Sequence, residues 1–225
     1  TKPSLLTFNE VTTFLHEFGH ALHGMFSKCT YGSTSMDGVS RDFVELPSQF
    51  MENFALEKEW LDTWAVHYQT GEKIPQEYID KIKKSSNFQA GYASDRQLSF
   101  GMVDMAWHTI TEPVTEPLVD FEQRAMGKTE IMPLVKGSAF SPAFGHIFAG
   151  GYAAGYYGYK WAEVLDADAF EAFKETGNIF NPEKAKAFRE NILSKGGSED
   201  AMTLYQKFRG QEPSIDPLLK RKGLK

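Results

Sequence analysis

Apolar positions recur with a helical period over most of the chain. Val11, Phe14, Leu15, Phe18, Leu22, Met25 and Phe26 fall three or four apart, which predicts a helix over residues 8–27 with one buried stripe. TFNE at 7–10 reads as its capping box, with Thr7 at the N-cap and Glu10 at the third helical position. Residues 28–42 are rich in Gly, Ser and Thr and predict a loop, with room for a short hairpin within 28–44. Pro47 is tolerated in a first helical turn, and the pattern then continues as one long helix over 48–68. Pro75 starts another, running to about Ser86. A longer pattern spans roughly 88–110 and stops at the prolines of TEPVTEP. Residues 118–126 follow, and a Gly- and Tyr-rich segment leads into a helix over 159–175. Asn181 caps the next, with Pro182 at its first position, Lys195 in its last turn and Gly196 past its end. A final helix covers about 198–209, before an irregular tail. No stretch alternates over several strands and no repeat is visible, so the fold class is all-α.

With 225 residues the chain can bury one sizeable core or two small ones. Its 41% hydrophobic and 24% charged residues are ordinary for a globular protein. A net charge of −6, with no basic run longer than KRK, argues against nucleic acid as a partner, because phosphate neutralisation needs clustered Lys and Arg. No apolar stretch is long enough to cross a bilayer, so no membrane partner is expected either. Cys29 is the single cysteine, which excludes an internal disulfide and fits a reducing, cytoplasmic compartment and a monomer. The chain begins Thr-Lys-Pro without a signal peptide and reads as an excised piece of something longer.

HEFGHALHG, residues 16–24, concentrates the chemistry. Residues four apart share a helix face about one turn apart, so His16 and His20 can grip one cation, and Glu17 beside them can reach a water bound to it. An isolated match also arises by chance on a polar helix face, but Phe18 and Gly19 suit a helix buried on both sides. His23 lies two turns from His16, roughly 10 Å along the axis, too far to join the same ion. A further pattern, glycine three residues after the second histidine and histidine six after it, fails on His23 and Phe26. Glu45 in RDFVELPSQFMEN is the better third ligand. It starts the next helix, whose dipole favours a carboxylate, and Phe43, Val44 and Leu46 bury it. Asp42 and Glu52 are candidates to orient the imidazoles, with an exposed helix position as the other reading of Glu52. Two imidazoles, one carboxylate and an open fourth place make a catalytic rather than structural zinc site, one ion per chain.

HEFGHALHG, RDFVELPSQFMEN and GHIFAGGYAAGYYGYKWAEVL together resemble the thimet-oligopeptidase family of zinc metallopeptidases, most of all its peptidyl-dipeptidase (dipeptidyl carboxypeptidase) branch. The resemblance runs over nearly all of the chain and corresponds to the family's C-terminal catalytic portion. It implies an all-α ellipsoid split by a deep substrate channel, short peptides as substrates and zinc on His16, His20 and Glu45. By the same resemblance Tyr159 and Tyr152 stabilise the transition state, while His146 and Tyr156 contact substrate near the metal. A tyrosine stripe at helical spacing is otherwise more often core, and Tyr157 points away into packing. A peptidyl-dipeptidase also binds the free C-terminal carboxylate of its substrate, for which Arg41 and Arg96 are candidates. The reaction implied is release of C-terminal dipeptides. The alternatives are an endo-acting oligopeptidase or a non-catalytic helical module.

Overall fold

Thr7 fixes where the first helix begins. Its hydroxyl accepts from the Glu10 amide at 3.3 Å, and the Glu10 carboxylate accepts the Thr7 amide at 2.6 Å, so the capping box satisfies two amides that would otherwise be orphaned. The computed structural model describes residues 4–133 and 135–225. Helix α1 runs Phe8–Phe26 and α2 Leu46–Glu52, with two short 3₁₀ turns between them. Then follow α3 (Lys58–Leu61), α4 (Gln76–Ser86), α5 (Ala90–His108) and α6 (Leu118–Met126). Next come α7 (Gly145–Phe148), α8 (Tyr157–Lys174), α9 (Pro182–Phe188), α10 (Ala201–Arg209) and α11 (Asp216–Arg221). Among the described residues no strand forms, and one isolated bridge joins Val66 to Lys73. The fold is all-α. No helix among the described residues is long and apolar enough to cross a membrane.

Four expectations need correction. The long helix over 48–68 is broken: α2 tightens into a 3₁₀ turn at Asn53–Leu56 before α3, as Asn53 turns its amide nitrogen back onto the Gln49 and Phe50 carbonyls. No hairpin forms within 28–44. That segment instead packs its backbone against Gly196 and Gly197, and the Gly197 amide donates to Thr34 at 2.9 Å. The helix after Asn181 passes into a π-helical turn, Arg189–Leu193. The tail is not irregular either, since it forms α11.

The chain divides into two units, one made of the residues up to Phe88 together with Ala162–Lys225, the other Gln89–Trp161. The first is organised around Phe50 of α2. Its ring stacks on Phe188 at 4.4 Å and meets Phe173, Phe170 and Phe54 at 5.3, 5.7 and 5.9 Å. Leu165, Ile192, Leu204 and Tyr205 complete this core. Two buried carboxylates of α8 are held by arginines. Asp168 takes Arg209 and the Tyr205 hydroxyl, and Asp166 takes Arg221 and Asn53. Burial pushes the Asp166 carboxyl up, against the pull of the Arg221 guanidinium. That pair is what fastens α11. In the second unit, Val103, Met126, Phe144 and Ile147 form the core. There Trp107 lies against Phe121 at 4.0 Å, and buried Glu122 accepts the Phe140 and Ser141 amides.

Arg221→Met should destabilise the chain by about 2–4 kcal/mol, somewhat below a fully buried pair because Arg221 stays 32% exposed. Adding Asp166→Asn should recover part of that loss. Urea unfolding of the two variants checks it. A single variant within about 0.5 kcal/mol of wild type would show that α11 is not anchored this way.

Candidate metal centre

The site in the first unit is made by two helices that touch. Gly19 of α1 packs directly on the start of α2: a Cβ placed there would stand 2.4 Å from the Pro47 carbonyl oxygen and 2.5 Å from the Ser48 Cα. Only a residue without a side chain permits that approach. Its neighbour His20 and, one turn back, His16 therefore reach the carboxylate at the head of α2. Glu45 Oε2 lies 3.3 Å from His16 Nε2 and 3.2 Å from His20 Nε2. These three side chains form the one cluster of potential metal ligands among the described residues.

The spacing suits zinc. Ligand atoms bound at 2.0–2.2 Å to one tetrahedral ion stand about 3.3–3.6 Å apart, close to the two separations seen here. Glu45 is 1% exposed, and the Ser48 hydroxyl donates to the same Oε2 at 2.7 Å, holding that oxygen toward the imidazoles. On the far side of His16, Nδ1 meets Glu52 Oε1 at 2.7 Å, the kind of contact that fixes the tautomer and orientation of a ligand imidazole. Burial works against a charged His16, but the hydrogen bonds to Glu45 and Glu52 outweigh it and raise its pKa to about 10. A metal binds imidazole only in its neutral form, so metal and proton compete for these nitrogens.

His20 Nδ1 is buried without a hydrogen-bond partner among the described residues, and Asp42 is half-buried on the turn before Glu45. Among the described residues neither nitrogen of His23 has a hydrogen-bond partner, and the side chain is 1% exposed. Burial, and then the nearby His20, bring its pKa down to about 4, which favours a neutral imidazole in the core. Glu17 is exposed, as is Arg41. The apolar stripe of α1 differs from the periodic reading. Val11, Leu15, Gly19 and His23 face inward, while Phe14 and Phe18 are 62% and 40% exposed and stack on each other at 6.0 Å. The helix is therefore buried on one side only.

The second group of candidates lies within the other unit. His146 sits on α7, and its ring is 6.2, 6.0 and 6.3 Å from those of Tyr152, Tyr156 and Tyr159. Tyr159 in turn lies 4.9 Å from Tyr152 and 5.0 Å from Tyr156. The shared helix face is not the cause, since α8 begins only at Tyr157. The Gly-rich turn before it gathers the rings instead. Tyr157 is 48% exposed and does not pack inward as the spacing suggested. Arg96 stands over Phe100 at 4.8 Å, and Phe100 is 5.8 Å from Tyr156, so Arg96 belongs to this aromatic group. Burial raises the Tyr156 phenol, opposed by the charge of Arg96.

Residues 1–224 match Peptidase family M3. The chain belongs to that family. It is a family of zinc-dependent metallopeptidases, and this M3 chain is 46% identical over 230 residues to Oligopeptidase A of Escherichia coli. It is likewise 46% identical to Oligopeptidase A of Haemophilus influenzae and 41% identical to the Dipeptidyl carboxypeptidase of Escherichia coli, each over 225 residues. All or 99% of the chain is covered in these alignments, against 33% of each relative, so it spans about a third of their length.

Gly19→Ala should separate α1 from α2. The expected result is a loss of roughly 1–3 kcal/mol in stability and at least about tenfold in zinc affinity. Thermal unfolding and a competitive chelator titration check this. Unchanged affinity would mean that the close helix approach does not set the ligand geometry.

Proposed function

We propose that this chain carries the catalytic part of a zinc peptidase, the C-terminal portion of a longer protein, acting on short peptides. The observation that supports it most is the convergence of His16, His20 and Glu45 on one point, with both imidazoles and the carboxylate offering a lone pair to the same place. These three would hold the metal. When bound, zinc in such a site lowers the pKa of water and polarises a carbonyl.

The remaining work falls to the protein's own groups. Glu17 takes a proton from the attacking water and returns it to the leaving amine, the role of a general base and then acid. Glu52 holds His16 in its ligand orientation through Nδ1. Tyr159 and Tyr152 donate phenolic hydrogen bonds to the oxyanion that develops on the scissile carbonyl. His146 and Tyr156 contact the peptide beside them. Arg41 takes the C-terminal carboxylate of the substrate. A cytoplasmic location fits the lone thiol, Cys29.

The finer proposal is release of C-terminal dipeptides. Cleavage within the peptide is a second reading, favoured by the 46% identity to the proteins named Oligopeptidase A against 41% for the dipeptidyl carboxypeptidase. Mass spectrometry of a peptide digest separates them: a ladder of C-terminal dipeptides supports the first, and internal cuts with longer products support the second.

Glu17→Gln should retain one zinc per chain and lose at least about 100-fold in turnover. Metal analysis beside a fluorogenic peptide assay checks it. Turnover at the wild-type rate would remove Glu17 from the reaction, and loss of zinc would make it a ligand instead.

A further inference from the structure

Asp104 is completely buried one turn before the end of α5, where a carboxylate is costly unless donors surround it. Its donors come from the tyrosine segment. The Ala154 amide donates to Oδ1 at 2.9 Å and the Tyr156 amide to Oδ2 at 2.9 Å, so both oxygens grip one stretch of backbone. One turn further along α5, His108 Nδ1 sits 2.8 Å from Oδ1 and 2.8 Å from the Asp104 carbonyl oxygen. The side chain is thus braced from its own helix while it holds another segment.

Beside this grip the stretch has local bonds of its own, the Tyr152 amide to the His146 carbonyl at 3.0 Å and the Gly155 amide to the Tyr152 carbonyl at 2.9 Å. It lies between α7 and α8, and it contains Gly150, Gly151 and Gly155. Ala154 takes φ +53°, a left-handed conformation that a residue with a Cβ adopts only where its surroundings impose it. Fixing the Tyr156 amide also fixes the start of α8 one residue later, and with it Tyr159 in the first turn of that helix. The Asp104 carboxylate thus holds the backbone immediately before α8, beneath Tyr156 and Tyr159, and next to the turn that carries Tyr152.

We propose that Asp104 is a positioning residue for the phenols: it acts on peptide hydrolysis through the backbone of residues 154–156, with His108 as its brace. This rests on the reading that the tyrosines serve the reaction. A small displacement of an oxyanion donor is enough to cost up to about 100-fold in rate.

The test uses the zinc-loaded chain. Asp104→Asn keeps the shape but turns an amide N–H toward a backbone N–H. It should keep its zinc, lower kcat by roughly 10- to 100-fold with KM within about threefold, and speed exchange of the Ala154 and Tyr156 amides while α5 stays protected. Combined with Tyr159→Phe, the loss should fall short of the product of the two single losses, because Tyr159 is one of the donors through which Asp104 acts. Faster exchange at wild-type kcat, or losses that multiply in the double variant, would overturn the proposal and leave Asp104 a purely structural residue. Wild-type kcat in Tyr159→Phe would remove the reading it rests on, while the exchange measurement still reports the grip. If Asp104→Asn does not fold, His108→Ala carries the test: a kcat reduced about three- to tenfold, with faster exchange at 154 and 156, supports the proposal, and wild-type values for both overturn it.

Discussion

The closeness of α1 and α2 at Gly19 is the constraint on which the metal centre depends. Two imidazoles on one helix can share an ion, but a third ligand must come from elsewhere, and a carboxylate at the head of α2 reaches them only if the two backbones nearly touch. A glycine between the two histidines makes that contact possible. The phenylalanine core then holds it, since Phe50, on the same short helix as the residues against Gly19, is surrounded by rings from α8, from α9 and from the 3₁₀ turn that follows α2. Packing energy far from the ligands thus maintains distances of 3.2–3.3 Å between them.

Buried carboxylates recur, and they do different work in the two units. In the first, Asp166 and Asp168 pair with arginines of the C-terminal helices and draw those segments onto α8. In the second, Glu122 and Asp104 take backbone amides instead, Glu122 from Phe140 and Ser141, Asp104 from Ala154 and Tyr156. An irregular segment cannot satisfy its amides internally, so a buried acceptor both removes that cost and selects one conformation. The tyrosines and His146 sit on a stretch held in this way.

Much of this was legible in the sequence, where local signals were strong. Thr7 and Glu10 marked the start of α1, Asn181 and Pro182 the start of α9, and the histidine spacing with Glu45 named the residues that the structure brings together. Tertiary contacts hid the rest. Phe14 and Phe18 fit a helical stripe but lie on the open side of α1, because periodicity finds an apolar face without saying what covers it. The tail looked irregular because its anchor, Arg221 on Asp166, is 55 residues away in the chain. Asp104 carried no signal at all: one of two aspartates in α5, it gives no hint in the sequence that its partners are amides some 50 residues on.

The central claim is that one ion is held jointly by α1 and α2. X-ray absorption at the zinc edge of the loaded chain tests it most directly. Two imidazole nitrogens and one protein carboxylate oxygen are expected at about 2.0–2.2 Å, with the carboxylate lost in Glu45→Ala and both imidazoles kept. An unchanged coordination shell in that variant, or a fourth protein ligand closing the site, would contradict it.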